Sequence, residues 1–295
     1  MPYFTHCQRR LFYREQGQGP LLLILHGNTA SSAAHLGELA YFGQRYRAVA
    51  LDFPGTGQSE RVDVWPDDWW LQGARAAVAL MDHLSAAQGV VMGTSDGAVA
   101  ALLMAQHAPD RVQAVIADSC VMRQPPEVLR AEVTGRRQRH PEAVAFWQQA
   151  HGDDWEQVIE ADNDVMLRLA ERDGRWFERS LSEIGCPVLL TGSLQDATLH
   201  DGAAQMLEMA KQIPESQWVL VNGGDHRLMW SRPEAFRRAA DSFLRGWPRK
   251  QGAARTVPAD RLSHNVIRRA TGNEIRHLIW ERSSGPKPAS RMPFN

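Results

Sequence analysis

Short apolar runs alternate with longer amphipathic segments over most of this sequence. Each apolar run is nearly continuous, which is typical of strands that are buried on both faces of a parallel sheet. Runs of this kind predict strands over residues 21–25, 46–51, 89–92, 112–117, 187–191 and 218–221. The segments with helical spacing predict helices over residues 33–45, 67–84, 97–108, 201–213 and 233–245. This alternation indicates an α/β fold with a mostly parallel, doubly wound sheet.

Two segments depart from the alternation. Residues 3–7 and 10–14 predict an antiparallel hairpin at the edge of the sheet. Residues 122–184 are amphipathic and contain no convincing strand, so they predict a helical cap inserted over the sheet. Periodicity alone leaves open a second interpretation, in which this segment forms ordinary surface helices. The predicted division is an α/β core of residues 1–121 and 185–247, a helical cap of residues 122–184, and a C-terminal tail of residues 248–295.

The composition is that of an ordinary globular protein, with 43% hydrophobic and 23% charged residues. The net charge of −1 gives no electrostatic support for nucleic acid as a partner. The tail differs, because from Arg249 onward there are ten Lys/Arg and three Asp/Glu residues, a net charge of +7. Such a segment could bind an acidic partner or lipid headgroups, could simply be solvated, or could be foreign sequence.

Cysteines and hydrophobic runs bear on the cellular compartment. Cys7, Cys120 and Cys186 are far apart and odd in number, which argues against a disulfide framework and a metal cluster. We see no signal peptide, and no run approaches the roughly 18 apolar residues of a membrane span. We therefore expect a cytoplasmic protein. The sequence leaves the oligomeric state open.

The clearest chemical motif is the pentapeptide Gly93-Thr94-Ser95-Asp96-Gly97. It lies between a predicted strand and a predicted helix rich in Ala, Leu and Met. In this setting G-x-S-x-G forms a tight turn that presents a serine hydroxyl at the edge of the sheet. Glycine is needed on both sides because a side chain would crowd the neighbouring strand or helix. Ser95 is therefore the candidate nucleophile.

A serine hydroxyl needs a base to accept its proton, and the base needs an acid to hold its tautomer. His226 follows the last predicted strand, after two glycines that allow the loop to turn back, and is the candidate base. Asp196 follows the strand over residues 187–191 and is the candidate acid, because loops at the carboxyl ends of parallel strands form the ligand sites of such sheets. Asp118 and Asp225 are alternatives for the acid.

The tetrahedral intermediate of acyl transfer needs hydrogen-bond donors for its oxyanion. The backbone N–H of Asp96 is one candidate, at the start of the helix that follows Ser95. The backbone N–H of Asn28 is the other, because it follows His26-Gly27 at the end of a central strand. If the main chain donates, distorting Gly27 should matter more than removing the Asn28 side chain.

These motifs together resemble the α/β-hydrolase superfamily of serine esterases and related enzymes. The resemblance covers residues 3–246 and rests on His26-Gly27-Asn28, the turn Asp52-Phe-Pro-Gly-Thr-Gly-Gln-Ser59, Gly93–Gly97, Asp196 and His226. It implies the α/β-hydrolase fold and a Ser-His-Asp triad that cleaves a small-molecule carboxylic ester through an acyl-enzyme. Because residue 95 is Ser, the chain departs from the haloalkane dehalogenase and epoxide hydrolase branches, which use Asp.

Neither a metal nor an organic cofactor is expected. The sequence contains no H-E-x-x-H, and Gly55-Thr-Gly57 is not followed by the third glycine of a dinucleotide-binding loop. A carbon–carbon bond hydrolase or a perhydrolase would share the same triad. A non-catalytic binding protein would share the fold, although it would not need all three triad residues.

Asp96 suggests one class of substrate. The sequence Ser95-Asp96-Gly97 resembles the turn of hydrolases that act on amino acid esters, in which a carboxylate pairs with the ammonium group of the substrate. The alternative is that Asp96 caps the helix that follows, where an acidic side chain is favourable.

Overall fold

An eight-stranded sheet forms the centre of the protein in the computed structural model, which describes residues 2–245. The strand order is β1-β2-β4-β3-β5-β6-β7-β8. The strands are β1 Tyr3–His6, β2 Arg9–Gln16, β3 Leu21–Leu25, β4 Arg47–Leu51, β5 Gly89–Thr94, β6 Val112–Asp118, β7 Val188–Ser193 and β8 Ser216–Val221. β1 and β2 pair antiparallel and β2 joins β4 antiparallel, whereas all other pairs are parallel. The predicted fold class and the edge hairpin are confirmed.

Helices cover both faces of this sheet. They are α1 Leu36–Phe42, α2 Trp69–His83, α3 Asp96–His107, α4 Pro126–Arg136, α5 Pro141–His151, α6 Trp155–Glu171, α7 Gly202–Gln212, α8 Leu228–Ser231 and α9 Pro233–Leu244. One face packs against α1 and α9, and the other against α2, α3 and α7. Alternate residues of β3 contribute to the two hydrophobic clusters, so the strand is buried throughout. This two-sided burial explains the unbroken apolar run.

The predicted helix over residues 33–45 is wrong in its extent. The chain first forms a 3₁₀ turn over Ser32–His35, and α1 then covers only Leu36–Phe42. The Ser31 hydroxyl accepts a hydrogen bond from the backbone N–H of Ala33 and fixes the start of the turn. Such side-chain bonds to the backbone compete with a regular α-helical start, which explains why periodicity misjudged the boundary.

Helices α4, α5 and α6 follow β6 and precede β7 in the chain, and we call this segment the helical insertion. On α6 the side chains of Val158, Val165, Met166 and Leu169 are buried, at spacings that form one face of a helix. This face joins the same hydrophobic cluster as α2 and α3.

The register of the sheet places the ends of its central strands at one edge. Leu25 of β3 pairs with Gly93 of β5. Asp118 at the end of β6 pairs with Thr94 and also with Thr191 of β7. The loops that carry the predicted site residues therefore leave the sheet from neighbouring positions, as in other open α/β folds.

The predicted tail, residues 248–295, lies outside the described residues. Among residues 2–245, no helix is long and apolar enough to cross a membrane. In the same part of the chain, no group of three or more His, Cys, Asp or Glu side chains could hold a metal ion. Cys7, Cys120 and Cys186 are free thiols.

Candidate active site

Ser95 occupies a strained turn between β5 and α3. Its backbone has φ +54° and ψ −129°, a conformation that non-glycine residues rarely adopt. The flanking glycines are sterically required. A Cβ atom on Gly93 would lie 2.1 Å from the carbonyl oxygen of Gly97, and one on Gly97 would lie 2.2 Å from the carbonyl oxygen of Leu25. The close approach of strand and helix thus directs the Ser95 hydroxyl out of the sheet edge.

His226 joins Ser95 to Asp196 through its two ring nitrogens. Its Nε2 lies 3.0 Å from Ser95 Oγ, and its Nδ1 lies 2.7 Å from Asp196 Oδ2. The other carboxylate oxygen of Asp196 accepts the backbone N–H groups of Thr198 and Leu199 at 3.0 and 3.3 Å. The side chains of Asp196 and His226 are only 3% and 12% exposed, so little solvent competes for this chain of hydrogen bonds.

Asp118, the first alternative for the acid, makes no hydrogen bond to the imidazole of His226. Its carboxylate accepts Thr191 Oγ1–H at 2.7 Å, Thr94 Oγ1–H at 3.1 Å and the backbone N–H of Met229 at 3.1 Å. Complete burial raises its pKa to about 6, although these three bonds oppose the shift. Asp118 therefore links β5, β6 and β7 to the start of α8.

Asp225, the second alternative, is exposed and bonds to the backbone rather than to the ring. Its Oδ1 accepts the backbone N–H of His226 at 2.7 Å. Of the three carboxylates considered, Asp196 is the one that contacts the imidazole.

The chain around Gly27 and Asn28 lies directly beside Ser95. A Cβ atom on Gly27 would lie 3.0 Å from Ser95 Cβ and 3.6 Å from the backbone nitrogen of Asp96. Within residues 2–245, the backbone N–H groups of Asn28 and Asp96 donate to no other group. Both are therefore free for a ligand.

The Asn28 side chain is already engaged elsewhere. Its Oδ1 accepts Trp70 Nε1–H at 3.3 Å, and its Nδ2 donates to Met166 Sδ at 3.0 Å. The side chain therefore links α2 to α6, whereas the backbone N–H is unengaged.

Two buried histidines hold this loop in place. His26 bonds through Nδ1 to the carbonyl oxygen of Gly27 at 2.8 Å, and its Nε2 accepts the backbone N–H of Phe53 at 3.2 Å. His151 of α5 accepts the Gly57 N–H at 3.0 Å and bonds through Nε2 to the carbonyl oxygen of Thr29 at 3.1 Å. Burial lowers the pKa of His26 to about 3 and that of His151 to about 4, so both rings are neutral near pH 7.

Asp96 is the acidic residue in the first turn of α3, where no side-chain capping hydrogen bond forms. Its Oδ2 instead accepts Trp70 Nε1–H at 3.1 Å. Burial, and next the negative charges of Glu132 and Asp162, raise the pKa of Asp96 to about 8. The carboxyl beside the nucleophile is therefore largely protonated near pH 7.

Charged residues of the helical insertion lie near Asp96 and near the loop beside Asn28. Arg136 of α4 bonds to Asp162 of α6 at 2.6 Å and also pairs with Glu132. The second oxygen of Asp162 accepts the backbone N–H of Thr29 at 3.1 Å. The insertion thus holds the loop next to Asn28 through a buried ion pair.

Sequence reasoning missed this network and the contacts of Trp70. The pair Glu132 and Arg136 has the i,i+4 spacing of a helical ion pair, and Asp162 interrupts an apolar helix face. Both are signals that could have been read. Nothing local in the sequence indicates that Trp70, rather than Trp65 or Trp69, reaches the site. Those two rings stack with centroids 4.4 Å apart in the core.

The sequence also matches a known family. Residues 22–239 match the family described as "Alpha/beta hydrolase family". This stretch includes Ser95, Asp196, His226 and the whole helical insertion.

Individual relatives are distant but cover most of the chain. The "Putative carbamate hydrolase RutD" of Caulobacter sp. (strain K31) is 28% identical over 225 residues, which are 68% of this chain and 82% of the relative. The "(E)-2-((N-methylformamido)methylene)succinate hydrolase" of Acinetobacter baylyi is 22% identical over 260 residues, 81% of this chain and 96% of the relative. A solved structure of a thermophilic esterase from Thermogutta terrifontis, with malate bound, superposes with a TM-score of 0.66 at 21% identity. It covers 83% of this chain and 96% of the esterase.

Proposed function

The chain belongs to the alpha/beta hydrolase family, and on that premise we propose that it is a serine hydrolase that cleaves a carboxylic ester or related acyl bond. The observation that carries the proposal is the continuous hydrogen-bond path from Ser95 through His226 to Asp196. A nucleophile, a base and an orienting acid within hydrogen-bond distance are what acyl transfer requires.

In the first half of the proposed reaction, Ser95 Oγ attacks the acyl carbon while His226 Nε2 accepts the hydroxyl proton. Asp196 holds the proton on Nδ1 and stabilises the imidazolium that forms. The negative charge on the former carbonyl oxygen is stabilised by the backbone N–H groups of Asn28 and Asp96. When the bond to the leaving group breaks, its oxygen takes the proton from His226, and the acyl group remains on Ser95.

In the second half, a water molecule gives one proton to His226 and attacks the acyl carbon. The bond between Ser95 Oγ and the acyl carbon then breaks, and Ser95 recovers its proton from His226. The products are a carboxylic acid and an alcohol. We propose further that residues 122–184 act as a cap over this site, because Asp162 contacts the loop beside Asn28.

Relatives support hydrolysis and favour a small polar substrate. The name of the Acinetobacter baylyi relative describes the hydrolysis of a substituted succinate, a carboxylate-bearing compound. That of the Caulobacter relative describes a carbamate, so an acyl bond to nitrogen is a second candidate. Matched ester and carbamate substrates with the same acyl group would separate the two.

The test is covalent labelling with a fluorophosphonate, read by intact mass and peptide mapping. We expect one adduct on Ser95 in the wild type and none in Ser95→Ala. Ser182→Ala is the matched control, because Ser182 is an exposed serine remote from the relay, and it should label like the wild type. If the folded wild type neither reacts with the probe nor hydrolyses small esters, the proposal is wrong and a binding role on the same fold replaces it.

A further inference from the structure

Arg227 is a cation beside the relay for which the proposed mechanism has no use. It follows His226 in the chain, and its Nε is buried without a hydrogen-bond partner. Within residues 2–245, its guanidinium forms no ion pair and donates no hydrogen bond. An N–H donor that is buried without an acceptor is costly, and the Nε of Arg227 is in this state. A ligand that supplies the acceptors would remove this cost.

The guanidinium is held in a fixed orientation. Its central carbon lies 4.3 Å from the ring centroid of Trp230 on α8. The Trp230 ring in turn meets Phe146 of α5 edge-on, with centroids 6.4 Å apart. Stacking of this kind restrains the plane of the guanidinium while its edge stays available for two parallel hydrogen bonds. Helix α8 and the helical insertion thus both contribute to the position of the Arg227 guanidinium.

The charges that act on Arg227 come from the candidate site itself. They belong to Arg136 and Glu132 of α4, to Asp118 at the end of β6, and to Asp96 next to the nucleophile. Burial lowers the pKa of Arg227 to about 10, so it remains a cation at neutral pH.

No carboxyl group of the described residues pairs with Arg227 directly, although the charges of Glu132, Asp118 and Asp96 act on it from a distance. Glu132 and Asp162 are paired with Arg136, and Asp118 is bonded to two threonines and a backbone N–H. Asp96 is largely protonated near pH 7 and bonds to Trp70. Among residues 2–245, Arg227 therefore has no carboxylate within ion-pair distance of its guanidinium.

From this arrangement we infer that Arg227 is a specificity-determining residue that binds a free carboxylate of the substrate. The substrate class is then an ester that carries a second, ionised carboxyl group, such as the monoester of a short dicarboxylic acid. This inference rests on the proposed function and deepens it. A carboxylate matches the planar fork of arginine, and one bound beside His226 would hold the ester carbonyl near Ser95.

The first test compares matched esters by pH-stat titration. Ethyl hydrogen glutarate, ethyl pentanoate and ethyl 5-aminopentanoate have the same chain length and leaving group but carry a negative, no and a positive charge. We expect the wild type to favour the anionic ester over the neutral one by at least about tenfold in kcat/KM, because hydrogen bonds to charged groups are the strong ones. A preference for the amino ester would overturn the inference.

Substitution of Arg227 sharpens this comparison. Arg227→Gln should reduce the ratio of kcat/KM for the anionic over the neutral ester by about 10- to 100-fold, the range expected for a lost charged hydrogen bond. Arg227→Lys should retain part of the ratio, since it keeps the charge but not the bidentate geometry. Arg238→Gln, at an exposed arginine of α9, is the matched control. An unchanged ratio in Arg227→Gln would overturn the inference, and if that variant does not fold, the same criterion applies to Arg227→Lys.

A binding measurement separates this inference from the proposed function. Glutarate is titrated calorimetrically into Ser95→Ala and into Ser95→Ala/Arg227→Gln, neither of which needs to turn over substrate. We expect the second protein to bind glutarate at least about tenfold more weakly. If the wild type hydrolyses no ester yet glutarate binds through Arg227, the proposed function and the ester as substrate class fail, and carboxylate binding by Arg227 stands. If Ser95 is labelled and esters are cleaved while Arg227→Gln leaves both the ratio and glutarate binding unchanged, only the inference fails.

Discussion

Asp196 and Asp118 both lie near the base but have different hydrogen-bond partners. Asp196 contacts the imidazole of His226, whereas Asp118 binds hydroxyl and backbone donors of the sheet. The first arrangement orients a ring, and the second joins neighbouring strands. Exchanging each carboxylate for an amide should therefore affect different properties of the protein.

We predict that Asp196→Asn lowers kcat by about 10³- to 10⁴-fold, because an amide cannot hold the imidazole tautomer that accepts the serine proton. Its free energy of unfolding should change little. Asp118→Asn should instead lose about 1–3 kcal/mol of stability, since an amide cannot accept all three bonds. Ester kinetics and urea unfolding of both variants provide the test. A larger loss of kcat in Asp118→Asn than in Asp196→Asn would reverse the assignment of the acid.

His151 gives a pH-dependent prediction. Its folded pKa is lowered from 6.5 to about 4 by burial. Between pH 6.5 and 4 the imidazole is protonated in the unfolded chain but stays neutral in the folded protein. The free energy of unfolding therefore decreases as pH falls from 6.5 towards 4, and His151 does not affect it at higher pH. His151→Gln has an amide acceptor and donor in place of the two ring nitrogens and does not titrate.

Between about pH 7 and 4.5, wild type should therefore lose about 2 kcal/mol of stability relative to His151→Gln. Other titrating groups are shared by both proteins and cancel in the difference. Urea unfolding at several pH values measures it. A difference in stability that stays constant with pH would mean that the pKa of His151 is the same in the folded and unfolded chains.

At the scale of single elements, the loop after β3 offers a comparison between main chain and side chain. Gly27→Ala would bring a methyl group to 3.0 Å from Ser95 Cβ and 2.9 Å from the carbonyl oxygen of Thr94. We predict a loss of about 10²- to 10³-fold in kcat from the displaced oxyanion donor. Asn28→Ala should lose less, because its side chain binds Trp70 and Met166 while its backbone N–H is retained. Equal losses in the two variants would assign the donor to the Asn28 side chain.

Helix α4 contains two adjacent arginines with contrasting surroundings. Arg136 is 10% exposed and lies between Glu132 and Asp162, whereas Arg137 is 49% exposed and pairs with Glu160. Removing the buried cation leaves two carboxylates uncompensated, so Arg136→Met should cost about 3–5 kcal/mol of stability. Arg137→Met should cost less than about 1 kcal/mol. Thermal unfolding of both variants measures the contrast, and similar costs would mean that water reaches Arg136.

Individual elements also explain what could be predicted from the sequence. Strands such as β3 and β5 were predictable because burial on both faces requires continuous apolar residues. The candidate nucleophile, base and acid were predictable because each follows a strand whose carboxyl end lies at the same edge of the sheet. The contacts of Trp70, Arg136 and Arg227 were not predictable, because they depend on how the helical insertion packs on the sheet. Local periodicity says nothing about that packing.

For the molecule as a whole, the hydrolase fold and the specificity of the site have separate origins. The sheet edge and its turns hold Ser95, Asp196 and His226, the residues of the proposed triad. Two further charged residues lie around them: Arg136 of the helical insertion and Arg227 of the loop after β8. Chemistry shared by a family and selectivity particular to one member can thus vary independently.

The last prediction concerns the tail that follows this unit. Both hydrophobic clusters and the Ser95–His226–Asp196 relay consist of residues before Arg245, and the family match ends at residue 239. A chain that ends at residue 247 keeps all of these contacts, so we expect its melting temperature and its rate of fluorophosphonate labelling to stay close to those of the full chain. Thermal unfolding and labelling kinetics of the two chains, measured side by side, test this. A marked fall in either property would mean that residues 248–295 contribute to the fold or to the site, because the truncation changes nothing else.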